Sequence, residues 1–141
     1  MSSDTGIYGL RSCGQRHGDV FTSPIVVSYM LDSIGYTADK DLSRTSILEP
    51  SCGEGEFLIE IARRLSQSAA AFGFDFRAAF ERNVYAYDID SDKLSKCRER
   101  LYVEGFSISE GVHIICANLS HLHLIWKASF PLKRAVEHLQ H

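Results

Sequence analysis

The sequence has no excess of positive charge. Lys plus Arg number 15 against 18 Asp plus Glu, a formal net charge of −3. A chain so balanced does not grip nucleic acid by bulk charge, so any such contact must be local or supplied by another segment. Long apolar runs are missing too. Charges such as Asp32, Asp75 and Arg77 interrupt every candidate well short of the about 18 residues of a membrane span, so no membrane role is expected. Cysteines are few and scattered: Cys13, Cys52, Cys97 and Cys116 include no C-x-x-C, and no secretory leader is read ahead of them. That usage suits reduced thiols and a cytoplasmic location. Prolines number three and none is paired, and neither an internal repeat nor a low-complexity tract is present.

What remains is the composition of an ordinary folded domain, 45% hydrophobic and 23% charged over 141 residues, which predicts one domain with a real core. Residues 1–22 read as an arm or loop, with four glycines and little periodicity. Ser23-Pro24 then supplies an N-cap and an N1 proline ahead of Val27, Met30, Leu31 and Ile34, an amphipathic helix closed by Gly35. Ser46 to Leu48 reads as a short strand running into a glycine turn. Phe57, Leu58, Ile61, Ala62 and Leu65 recur beyond it at helical spacing. The aromatic stretch 72–80 fits either a helix end or a packed connector. Asn83 to Tyr87 is a second strand that ends in Asp88-Ile89-Asp90 and is followed by Leu94, Cys97 and Leu101 on one helix face. Val112 to Cys116 is a third. This alternation predicts an α/β fold with a parallel sheet and right-handed crossovers over 23–119. The remaining 22 residues, 120–141, read as a divergent tail.

In such a sheet, ligands bind at the carboxyl edge, where loops and helix N-termini converge. The turn at 49–57 offers two glycines that admit a ligand to the backbone, plus the carboxylates Glu49 and Glu54. It is not a dinucleotide fingerprint: Leu58 stands at the third glycine, and Asp88 lies 33 residues past Gly55 rather than the ~20 of that motif. It is not a P-loop either, because Gly-Lys-Ser/Thr is absent. Glutamates here would repel a phosphate. Two acids, an accessible backbone and an Asp placed for a ribose suit a nucleoside that carries positive charge and no phosphate, as S-adenosylmethionine does.

Ile47-Leu48-Glu49-Pro50-Ser51-Cys52-Gly53-Glu54-Gly55-Glu56-Phe57-Leu58 resembles the first cofactor motif of the N6-adenine-specific DNA methyltransferases of restriction–modification systems. Gly18-Asp19-Val20-Phe21-Thr22-Ser23-Pro24 is similar to the segment that precedes it in that family, Tyr87-Asp88-Ile89-Asp90 to the acidic motif that follows, and Ala117-Asn118-Leu119 to the third. The motifs stand in the family's order. The resemblance implies a Rossmann-like methyltransferase fold with an incomplete sheet, and S-adenosylmethionine as cofactor. It implies that Phe21, Thr22 and Pro24 close over the methionine end and that Glu49 sits near the ammonium, with Pro50, Cys52 and Phe57 completing the motif. Gly53 and Gly55 would pass beneath the ligand, Asp88 would accept the ribose hydroxyls, Ile89 would pack on the adenine, and Asn118 with Leu119 would hold its edge. The family usually has Asp where Asn118 stands; an amide both donates and accepts there.

The family's catalytic motif, N/D-P-P-Y/F/W, holds the target amino group and stacks on the flipped base, and it is absent from the sequence. The expectation is therefore a cofactor-binding portion with no catalytic residue of its own, inactive alone as a truncated or partial product. DNA is implied by the resemblance but not expected to bind this chain by itself, and an unfilled sheet edge suggests self-association or a missing segment. The alternative is a non-catalytic interaction or regulatory module that keeps the fold. A complete small methyltransferase acting through the tail is a third reading. Several features have plainer meanings. His121 and His123 are two ligands where a metal site needs three or four, so no metal is expected. Cys52 stands at a helix start, where a thiol pKa can fall, though the resemblance makes it a packing residue. Lys96, Arg98 and Arg100 read as a solvated helix face.

Overall fold

The computed structural model describes residues 21–109 and 112–117. Asn118, Leu119, the histidine pair and the tail, like the arm before Phe21, lie outside the described residues. The elements run α1 (Pro24–Ser33), β1 (Ile47–Glu49), α2 (Glu56–Phe72), α3 (Phe76–Asn83), β2 (Val84–Asp88), α4 (Ser91–Val103) and β3 (His113–Cys116). The three strands form one parallel sheet in the order β1-β2-β3. Leu48 lies opposite Tyr85, and Ala86 opposite Ile114. This is the α/β, Rossmann-like arrangement, partial and flanked by helices. Every residue of β2 is buried, as a central parallel strand requires when both of its faces are covered.

Helices α1, α3 and α4 begin where a side chain caps the first turn. The Val26 N–H donates to the Ser23 hydroxyl at 3.4 Å, and Pro24 occupies the first turn, where its missing N–H costs nothing. Asp75 caps α3 by accepting from Ala78 N–H at 2.7 Å. Asp90 caps α4 by accepting from the Asp92 and Lys93 N–H groups. The apolar stripe of α2 is buried as the spacing predicts: Leu58, Ile61, Ala62 and Leu65 are at most 1% exposed, and full burial is worth about 1.5–3 kcal/mol for each larger aliphatic. On α1 only half of the predicted stripe is inside. Val27 and Leu31 are buried, but Met30 is 48% and Ile34 69% exposed.

The aromatic stretch 72–80 resolves into two helices. Gly73 ends α2 in the left-handed region, and Asp75 opens α3, which places Phe76 beside Phe80 and Phe106 with ring centroids 5.6 and 5.7 Å apart. Polar groups also bind the layers. Arg64, 7% exposed, reaches from α2 to Asp32 (2.6 Å), the Tyr36 carbonyl (3.0 Å) and the Ser28 hydroxyl (2.8 Å), so one guanidinium fixes α1 on α2. The buried Ser68 hydroxyl donates to the Lys40 carbonyl at 2.7 Å and accepts from Leu42 N–H at 3.1 Å, holding the loop before β1. Among the described residues no helix is long and apolar enough to cross a membrane.

Candidate functional site

The carboxyl ends of β1 and β2 are joined by hydrogen bonds from the glycine turn. The Cys52 N–H donates to the Tyr87 carbonyl at 2.9 Å, and the Gly53 N–H donates to Asp88 Oδ2, also at 2.9 Å. The other Asp88 oxygen accepts from Asp90 N–H at 2.9 Å, and the Asp88 carbonyl accepts from Ala117 N–H. Asp88 thus ties the turn after β1, the turn after β2 and the end of β3 to one point. Glu49 closes its own turn by accepting from Ser51 N–H at 3.0 Å.

These turns bound a cleft of about 190 Å³. Its floor is Ser51, Cys52, Gly53 and Glu54, with Glu49 and Asp88 at the strand ends. Glu56 and Phe57 come from the start of α2, Lys93 comes from α4, and Phe21 and Thr22 approach from the segment before α1. A second cleft of about 330 Å³ shares Thr22 and Glu56 in its walls and runs past Pro24 and Val27 towards Arg100 and Glu104.

Of the residues singled out from sequence, the structure brings Phe21, Thr22, Glu49, Cys52, Gly53, Phe57 and Asp88 to the same cleft. It does not place Pro24, Pro50, Gly55 or Ile89 in that wall. Pro24 lines the adjoining cleft, Pro50 is exposed in the turn, and the Ile89 side chain is 71% exposed. Gly55 faces the other way: a Cβ there would lie 2.7 Å from Cys97 Sγ, so its task is close approach of α2 to α4 rather than contact with a ligand. At Gly53 a Cβ would meet only Glu56 Oε2, at 3.9 Å, which leaves the space above it open.

The cleft is electrostatically uneven. Burial holds the Glu49 carboxyl above the usual range, opposed by the Ser51 N–H and reinforced by Asp88 and Glu56. Glu54 and Glu56 are instead bridged from α4, Glu54 by Lys96 at 3.1 Å and Glu56 by Arg100 at 3.0 Å. Arg100 also donates to the Glu54 carbonyl at 2.9 Å, and Arg98 donates to the Ile114 carbonyl at 3.0 Å. The basic face of α4 is therefore not merely solvated, as the sequence suggested; it clasps the glycine turn and β3. The recurrence of Lys96 and Arg100 at i, i+4 was the available signal, but nothing local identifies its partners. Cys52 also departs from the helix-start reading, since the neighbouring Cys97 thiol and burial push its thiol up, not down. Among the described residues no group of three or more His, Cys, Asp and Glu could hold a metal ion.

A cleft with carboxylates at its strand ends, open backbone at Gly53 and an aromatic wall accepts a cationic, partly apolar ligand better than an anion. The chain is similar to Type II methyltransferases. It is 37% identical over 92 residues to the Type II methyltransferase M.XhoI of Xanthomonas vasicola, a match covering 63% of this chain and 17% of that protein. Identity is 45% over 60 residues to M.BstVI of Geobacillus stearothermophilus, covering 43% of this chain and 11% of the relative. It is also 45% over 51 residues to M.PaeR7I of Pseudomonas aeruginosa, with 36% and 9% covered. The matched part thus spans about a sixth or less of the length of these curated relatives. No family model matches the chain.

Proposed function

We propose that this chain is the S-adenosylmethionine-binding portion of an N6-adenine-specific Type II DNA methyltransferase, and that the 141-residue polypeptide does not transfer methyl groups by itself. The observation that carries this reading is the 2.9 Å bond from Gly53 N–H to Asp88 Oδ2, which joins two separately recognised motifs at one cleft. The donor set fits the cofactor: Glu49 suits an ammonium, the second lone pairs of the Asp88 oxygens suit a ribose diol, and Gly53 leaves room for close approach. Phe21 and Thr22 would close the methionine side, Phe57 would supply apolar contact, and Ile89 is free to cover an adenine from the rim. Asn118 and Leu119 would complete the adenine edge. When bound, the cofactor supplies an electrophilic methyl group on its sulfonium. This chain's own residues bind and orient, and positioning is the main catalytic contribution in a direct displacement.

Acceptance of that methyl by a flipped adenine requires an Asn-Pro-Pro-Tyr-like motif, which the sequence does not contain. DNA is accordingly proposed as the substrate of a whole enzyme to which this portion contributes, with a second copy or a further segment alongside the sheet. Titration calorimetry tests the cofactor role. S-adenosylmethionine should bind with micromolar affinity, and Asp88→Ala should abolish the heat. No heat at millimolar cofactor with a folded protein would leave the interaction-module reading in its place.

A further inference from the structure

We propose that Lys96 and Arg100 tune the charge of the cleft by neutralising Glu54 and Glu56 and, through it, its preference for a sulfonium over the neutral thioether left after methyl loss; the inference rests on the cofactor reading above. Four carboxylates line the cleft, and α4 neutralises two of them from behind, Glu54 through Lys96 and Glu56 through Arg100. Glu49 and Asp88 accept from backbone N–H groups, and Lys93 of α4 adds a further cation to the cleft wall. The two bridges therefore control the share of the cleft's charge that Glu54 and Glu56 contribute. Both bridging side chains are substantially exposed, 61% for Lys96 and 44% for Arg100, so removing either opens no cavity.

S-adenosylmethionine and S-adenosylhomocysteine share their adenine, ribose, ammonium and carboxylate. They differ by one methyl group and one positive charge at sulfur. The ratio of their affinities therefore isolates the charge felt at sulfur from everything that positions the turn. Arg100 also holds the Glu54 carbonyl, so a purely structural role predicts that its loss weakens both ligands equally.

The decisive experiment measures Kd for both ligands by calorimetry on the 141-residue chain and on Arg100→Met, at low and at high salt. With Glu56 unneutralised, preference for S-adenosylmethionine should rise roughly three- to ten-fold at low ionic strength and shrink as salt is added. The double variant Arg100→Met/Glu56→Gln should return the ratio to its original value. Lys96→Met and Lys96→Met/Glu54→Gln test the same idea through the other bridge should Arg100→Met fail to fold. A ratio that stays constant while both affinities move together overturns the proposal and leaves α4 a scaffold. A ratio that rises but is not restored by the double variant overturns the assignment to the glutamates. Failure of the unaltered chain to bind either ligand removes the cofactor reading itself and the proposal with it.

Discussion

Glu49 carries the sharpest single-residue consequence. Its carboxyl is held above the usual range by burial, so the folded protein binds that proton more tightly than the unfolded chain does. The associated stability is fully present below the unfolded pKa and is lost as pH rises through the folded one. Ionised Glu49 is thus a strain on the free protein near neutrality, and a ligand ammonium relieves it. Two outcomes are expected. Binding of S-adenosylmethionine at mildly acidic pH should release up to one proton, read from calorimetry in buffers of different ionisation enthalpy, and affinity should fall as pH drops. Glu49→Gln should abolish that release, weaken binding and raise the melting temperature at neutral pH; a proton release unchanged in this variant would assign the linkage elsewhere. Glu49, Gly53 and Asp88 were legible from sequence because chemistry and spacing coincide there. What sequence could not show is that Asp88 spends one lone pair of each oxygen on the backbone of two turns, since those partners are set by how β1 and β2 lie side by side.

At the level of elements, the junction of α2 with α4 and the turn between β1 and α2 separate two kinds of glycine. Gly55 has φ +99° and faces Cys97, whereas Gly53 has φ +53° and faces open space. Gly55→Ala should therefore lose about 2–4 kcal/mol of stability in urea unfolding, combining an unfavourable backbone conformation with overpacking against a buried thiol. Gly53→Ala should cost about 1 kcal/mol yet weaken cofactor binding disproportionately, because its methyl group enters the cleft. Equal stability losses for the two variants would contradict this division. Sequence treated the two glycines alike, and nothing in a G-x-G spacing distinguishes them. The helices themselves were readable: the stripe of α2 and the cap at Ser23 follow from local patterns. Exposure of Met30 and Ile34 was not, because periodicity gives a face and not its neighbour. The basic face of α4 was misread for the same reason, its partners Glu54 and Glu56 lying some forty residues earlier in the chain.

Over the whole molecule, three parallel strands bring the segment before α1, the glycine turn and the acidic turn to one edge of the sheet. The order of elements made that topology predictable, because right-handed crossovers leave few alternatives. The edge that carries the candidate cleft follows from strand direction alone. The opposite edge, around Ser43, Arg44 and Arg82, provides an internal control. The most direct measurement of the central claim is a titration of ¹⁵N-labelled protein with S-adenosylmethionine, followed by amide NMR. Shifts should concentrate at Thr22, Ser51 to Glu54 and Asp88 to Asp90, leaving Ser43 to Ser46 and Arg82 unmoved. No shifts at saturating cofactor, or shifts centred on that opposite edge, would contradict the account.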